Sequence, residues 1–159
     1  MSTKKKLTFL IIDDARLMRE ILKEMIEVNL GHSVVGVGKC GQDAITMYRR
    51  LKPDIVTLDI SMPGMDGNQA LKVIKDIDYN AKVIMMTIRD HESVVKTSIK
   101  LRADGYLLKP FSPTKLYSIV TKLFPDIEKN HALEIDNNIE CIEESGTKLT
   151  EKFYRLDDY

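Results

Sequence analysis

Five times within its first 124 residues the chain repeats one alternation: a short apolar run, a turn, then a segment with apolar residues every three or four positions. The runs are Leu7 to Ile12, SVVGVG at 33–38, IVTLD at 55–59, KVIMMT at 82–87 and, shortest, Tyr106 to Leu108. Short runs that are apolar throughout, rather than alternating, fit strands buried on both faces. The helical segments cover about 15–30, 41–51, 67–77, 91–102 and 112–124. In the first, Leu17, Ile21, Met25 and Met18, Leu22, Ile26 form two rows at helical spacing. Ala44, Ile45 and Tyr48 line the second, and Ala70, Leu71 and Ile74 the third. In the last, Ser112 is placed to cap, Pro113 to start the helix, and Leu116, Ile119, Val120 and Leu123 to face inward. This order predicts an α/β fold: a doubly wound, five-stranded parallel sheet with helices on both faces. Right-handed crossovers bring the C-terminal ends of all its strands to one edge.

That edge collects the chemistry. Asp13 and Asp14 follow the first strand, Asp59 ends the third, Thr87 the fourth, and Lys109 follows the fifth. Alone, the adjacent acids suggest only a strand end that caps a helix. At one sheet edge, three carboxylates repel one another unless a hard cation joins them. Oxygen donors without His or Cys suit Mg2+, with Mn2+ as the alternative. One carboxylate then remains to act as a nucleophile, and Asp59, on the middle strand beside the MPGMDG loop, is the candidate. The Lys109 ammonium would offset charge on a transferring phosphoryl group, and the Thr87 hydroxyl would donate to it. The sequence has no GxxxxGK[ST] stretch for a nucleotide. The set describes a protein that accepts a phosphoryl group rather than one that turns over a metabolite.

Bulk properties narrow the alternatives. A chain of 159 residues with 43% hydrophobic content can bury one core without metal or disulfide staples. The formal net charge is +0, but residues 1–125 hold 20 Lys+Arg against 14 Asp+Glu, and residues 126–159 hold 4 against 10. So mild a basic excess, with no Trp, gives no nucleic-acid footprint. Cys40 and Cys141 are far apart and outside any CxxC, and His32, His91 and His131 are scattered, so zinc and redox motifs lack support. Acids interrupt LTFLII too early for a signal peptide or membrane span, so a cytoplasmic location is expected. Cys40, Met85 and Met86 read as core residues, Asp54 as turn chemistry, Asp66 as an acid at a helix start, and Asp104-Gly105 as a tight turn.

The stretches IIDDARLMR (11–19), PDIVTLDISMPGMDG (53–67), MMT (85–87) and DGYLLKPF (104–111) resemble the receiver domains of two-component response regulators, the stand-alone chemotaxis type above all. The resemblance covers about residues 6–124. It implies a flavodoxin-like strand order 2-1-3-4-5 and a phosphoprotein, not an enzyme beyond its own phosphorylation and dephosphorylation. Asp59 matches the phosphoacceptor. Asp14 and Asp59 would ligate Mg2+ directly, Asp13 largely through water, and Ser61 through its carbonyl. Lys109 matches the site lysine, expected before a cis peptide to Pro110; Thr87 matches the switch hydroxyl and Tyr106 the switch aromatic. The implied partners are a histidine kinase, a phosphorylation-dependent output protein such as a flagellar motor switch or kinase complex, and a phosphatase. Neither nucleic acid nor membrane is among them. A phosphorelay intermediate serving a histidine phosphotransfer domain is the alternative. A Mg2+-dependent aspartyl phosphatase would need a second acid two residues past Asp59, where Ser61 stands. Ile88 departs from the small residue usual after the switch hydroxyl, which is expected to change the lifetime of the phosphorylated state.

The expected organisation is a basic lead (1–6), a receiver domain (7–124) and an acidic C-terminal extension (125–159). In the extension Ile135, Ile139, Ile142, Leu149, Phe153 and Leu156 recur near helical spacing. Two short helices docked on the body or on a second subunit are expected, with a hairpin turning at Asp136-Asn137-Asn138 or a disordered tail as alternatives. A homodimer would use the extension or the fifth-helix face.

Overall fold

A computed structural model describes residues 5–88 and 92–127. The elements run β1 (Thr8–Ile12), α1 (Arg16–Glu24), β2 (Ser33–Gly38), α2 (Gly41–Leu51), β3 (Ile55–Asp59), α3 (Gly67–Ile77), β4 (Val83–Thr87), α4 (Glu92–Lys100), β5 (Gly105–Leu108) and α5 (Pro113–Leu123). A π-helical turn, Met25–Asn29, prolongs α1, and a 3-10 turn, Pro125–Ile127, follows α5. All strand pairs are parallel, in the order β2-β1-β3-β4-β5. The flavodoxin-like arrangement expected from the sequence is therefore present.

Every residue of β3 and β4 is buried, as expected of central strands covered on both faces. Two apolar clusters sandwich the sheet. One joins Phe9, Ile11, Leu22, Ile26, Leu116 and Val120, beneath α1 and α5. The other joins Leu10, Val56, Leu58, Leu71, Ile74 and Met85, beneath α2 and α3. Each fully buried aliphatic side chain contributes roughly 1.5–3 kcal/mol of transfer free energy, so these layers fix the strands that carry the site.

Several local expectations hold in detail. Ser112 accepts from Lys115 N at 3.2 Å with Pro113 opening α5. Asp66 caps α3 reciprocally with Gln69, its carboxylate accepting from Gln69 N at 2.9 Å. Asp54 accepts from Thr8 N at 2.8 Å and Thr8 Oγ1 at 3.1 Å, tying the turn before β3 to the start of β1. Other details differ. The first helix is α-helical only to Glu24; the Leu30 N–H then reaches Met25 O, five residues back. Of its two apolar rows, only the one through Leu22 and Ile26 is buried, while Leu17 is 68% exposed. Cys40, expected in the core, is half-buried at the start of α2, where it is a free thiol. The fourth helix stops at Lys100, and the chain reverses through Arg102, a non-glycine residue with φ 66°.

Residues 128–159 lie outside the described residues, so the two-helix, hairpin and disordered-tail expectations for the C-terminal extension concern a region not described; so does the placement of His91. Among the described residues no helix is long and apolar enough to cross a membrane.

Candidate functional site

β1 and β3 are adjacent and in register, Ile12 opposite Leu58. One residue further along each strand comes an acid, and the parallel register sets Asp13 beside Asp59 with Asp14 at the rim. One carboxylate oxygen from each of the three lies within 4.8 Å of the others. Asp13 is wholly buried, Asp59 is 4% exposed, and Asp14 is open to solvent.

Two contacts hold the loops that frame these acids. Position 67 must be glycine, because a Cβ there would stand 2.2 Å from the Asp59 carbonyl oxygen. The close approach is fixed by Gly67 N donating to Ile60 O at 2.9 Å, which folds MPGMDG back over the end of β3. On the other side, Arg19 donates to the carbonyl oxygens of Asp13 at 2.7 Å and Asp14 at 3.1 Å, pinning the acidic turn to α1. Reading the sequence missed Arg19. Its contact is with backbone, and a surface arginine on a helix carries no pattern that announces such a contact.

Lys109 arrives from β5, whose end is tied to β4 by Lys109 N donating to Thr87 O at 2.7 Å. The Lys109–Pro110 bond is cis, as the resemblance implied. The ammonium donates to Asp13 Oδ2 at 2.6 Å and lies 3.4 Å from Asp59 Oδ1, with the lysine side chain only 9% exposed. Asp13 Oδ1 accepts from Ala15 N at 2.9 Å, so both oxygens of the buried acid already have partners. Asp59 Oδ1 accepts a longer bond from Ser61 N at 3.3 Å.

The electrostatics follow from this crowding. Burial pushes the Asp59 carboxyl up from 3.8 to about 6, against the pull of the Lys109 ammonium. The neighbouring Asp13 and Asp14 carboxylates add to the rise, and the Ser61 N–H opposes it. One lysine does not neutralise three acids. The donor set is all oxygen, acidic and open to solvent on the Asp14 side, which fits a small hard cation that keeps part of its water shell. The cluster is a Mg2+ site.

Thr87 is buried at the end of β4, one residue past Met86, which pairs with Asp59. Tyr106 sits on β5 opposite Met85, half-buried against the cluster that holds Leu58 and Met85, with its hydroxyl oxygen out of solvent. Ser61 is exposed at the mouth of the site. The structure thus gathers Asp13, Asp14, Asp59, Ser61 and Lys109 through the contacts described, sets Thr87 on the same rim, and puts Tyr106 one layer down beside β4. Asp104, read from sequence as a turn residue, does more: it accepts from Val83 N at 2.9 Å and pairs with Lys75 at 2.8 Å, clamping β5 to β4 away from the site.

A five-stranded parallel sheet carrying an acidic cluster and a lysine at its C-terminal edge defines a phosphoacceptor domain of the α/β class. The response regulator receiver domain family matches residues 9–121, and the chain belongs to that family. It is 41% identical over 114 residues to the chemotaxis protein CheY of Thermotoga maritima, covering 72% of this chain and 94% of that one. It is also 34% identical over 116 residues to the nitrate/nitrite response regulator NarL of Escherichia coli, covering 73% of this chain and 54% of NarL. Among solved structures it is similar to the CheX–CheY–BeF3–Mg2+ complex of Borrelia burgdorferi, with TM-score 0.70, 32% identity, and coverage of 74% of this chain and 89% of that one. The chain is a two-component signalling protein that accepts a phosphoryl group with Mg2+. As a receiver domain it takes part in its own phosphorylation and dephosphorylation.

Proposed function

We propose that Asp59 is the phosphoacceptor and that its phosphorylation by a histidine kinase switches binding of an output protein in chemotaxis or motility. The observation that carries the assignment is position: Asp59 ends the central strand, buried, with an ammonium 3.4 Å away and two further carboxylates within 4.8 Å. An Asp59 oxygen attacks phosphorus of the donor phosphohistidine; the P–N bond breaks as the P–O bond forms, and the imidazole leaves with the bonding pair. Bound Mg2+ supplies positive charge to the transferring oxygens. Asp14 and Asp59 would hold it directly, with the Ser61 carbonyl as a third donor. Asp13 acts through water, in keeping with its two oxygens already accepting from Lys109 and Ala15.

Lys109 shares its ammonium between Asp13 and Asp59 and stabilises the phosphoryl oxygens once Asp59 carries the phosphoryl group as an acyl phosphate. Thr87, on the adjacent strand, donates its hydroxyl to the phosphoryl group. Tyr106 responds by moving deeper beside β4, changing the surface formed by α4, β5 and α5. The similarity to CheY proteins over nearly their whole length supports the chemotaxis output, and the CheX–CheY complex supports a CheX-type protein among the partners. The surrounding cell compartment in this reading is the cytoplasm.

The test is incubation with Mg2+ and a small acyl phosphate, followed by intact-mass measurement on wild type and Asp59→Asn. The wild type gains one phosphoryl group only with Mg2+, and the variant gains none. Equal labelling of both would overturn the assignment. Phosphoryl return to a histidine phosphotransfer domain, without a phosphorylation-dependent partner, would replace the motility reading with a relay.

A further inference from the structure

The three carboxylates of the rim are not held equally. Asp13 is wholly buried, with Ala15 N donating to one oxygen and Lys109 Nζ to the other. Asp59 is buried in β3, within 3.4 Å of the same ammonium. Asp14 is exposed, and among the described residues no lysine or arginine pairs with its carboxylate. Of the three it is the one that repulsion can push out into water. What keeps it beside Asp59 has to act on the backbone.

One nitrogen does so. Arg19 Nη1 donates both to Asp13 O at 2.7 Å and to Asp14 O at 3.1 Å. Peptide units are planar, so the first carbonyl fixes the plane entering the Asp14 Cα and the second fixes the plane leaving it. Holding both planes restricts φ and ψ of Asp14, and with them the direction of its side chain. The far side of the turn is tied to β2, where Asp13 N donates to Gly38 O at 3.2 Å. Arg19 is itself set by α1, its N–H donating to Ala15 O at 3.1 Å. We propose that Arg19 is a positioning residue that raises Mg2+ affinity by clamping the backbone of Asp14 before the ion arrives. This role rests on Asp14 being a direct donor to the ion. Ordering a ligand in advance reduces what binding has to spend on ordering it.

Charge alone gives the opposite expectation. A guanidinium near a cation site repels the cation, so an arginine acting only through its charge would lower Mg2+ affinity. Two acids are adjacent, yet among the described residues Arg19 forms no ion pair and spends its donors on carbonyl oxygens. Arg16, on the same helix, behaves otherwise: it pairs with Glu20 at 2.9 Å and stands in solvent. The two arginines therefore separate the effect of the clamp from the effect of charge.

Magnesium chloride titration of the full chain, followed through the amide chemical shifts of β1 and β3, reads the dissociation constant. Arg19→Met keeps the apolar stem and removes donors and charge together; the constant should rise about tenfold, the low end for losing a group that orients a metal ligand. Arg19→Gln, shorter and uncharged, should weaken binding in the same direction and serves if the methionine variant does not fold. Arg19→Lys retains charge and N–H donors and should recover most of the loss. Arg16→Met removes the same charge without touching the turn, and its constant should stay at the wild-type value or fall slightly. In Mg2+-free Arg19→Met, amide order parameters at Asp14 and Ala15 should drop while those of Phe9 to Ile12 hold, a local change that a general loss of stability would not produce. Unchanged or tighter Mg2+ binding by folded Arg19→Met or Arg19→Gln, a lysine variant no better than these, or an equal loss in Arg16→Met would each overturn the proposal. Asp14→Asn distinguishes the two levels of the account. Weaker binding there but not in Arg19→Met removes the clamp alone; unchanged binding in Asp14→Asn removes Asp14 as a donor, and the clamp with it.

Discussion

Leu58 and Asp59 are consecutive residues of β3, both buried, and the fold treats them in opposite ways. Leu58 is 0% exposed within the apolar cluster beneath α2 and α3. Asp59 is 4% exposed and faces two other carboxylates and an ammonium. Burial therefore does not distinguish the body of the sheet from its rim. What differs is the sign of the contribution: the strand bodies gain from burial, while the rim bears an electrostatic cost that Lys109 meets only in part. A site designed solely for stability would not hold three acids together. The rim is under-neutralised without a cation, and that deficit is the source of its Mg2+ affinity.

The contrast can be broken from either side. Leu58→Ala should lower stability by about 4 kcal/mol in denaturant titration, because it leaves a cavity in a fully packed layer. Its effect on Mg2+ affinity should be minor; a loss of Mg2+ binding in a folded variant would mean that body and rim are not separable. Lys109→Met should cost about 3 kcal/mol at neutral pH, since it strips the partner from the wholly buried Asp13. Measured stability equal to wild type would show that the ion pair is not needed to keep Asp13 buried.

Asp59→Asn should do the reverse and stabilise the cation-free protein by about 1–2 kcal/mol at neutral pH. The sign follows from the raised carboxyl, which moves from 3.8 to about 6 on folding. Its favourable contribution is complete below 3.8 and is lost as pH rises through about 6. Wild type and variant should therefore diverge between those values, with the variant ahead at the higher pH; parallel stability curves would contradict it. The smallest effect is expected at Ile88, which is 64% exposed just past Thr87. Ile88→Ala should change the decay rate of the phosphorylated protein by less than about tenfold, equivalent to under about 1.4 kcal/mol in barrier. Identical decay would remove Ile88 from the account.

The rim was legible in the sequence because parallel strands with right-handed crossovers leave little freedom in where their ends meet. Asp59 closes an apolar run that reads as a strand buried on both faces, and the segments 41–51, 55–59 and about 67–77 coincide with observed elements, Lys52-Pro53 breaking the chain between the first two. Less legible were features set by contacts across the fold. Spacing gave two candidate apolar rows on the first helix, and only docking against Phe9 and Ile11 decides that Leu22 and Ile26 face in. The π turn at Met25–Asn29 and the left-handed Arg102 likewise have no Gly or Pro to mark them. Arg19 and Asp104 act through backbone groups distant in sequence or pattern, so residue type alone did not reveal their roles.

The central claim is that the repulsion among Asp13, Asp14 and Asp59 is the free energy that recruits Mg2+. Thermal unfolding of wild type and Asp59→Asn at neutral pH, with and without Mg2+, tests it directly. Mg2+ at 100 times its dissociation constant should stabilise the wild type by about 2.7 kcal/mol and the variant by much less, bringing the two closer together. An unchanged wild type, or equal stabilisation of both proteins, would contradict the claim.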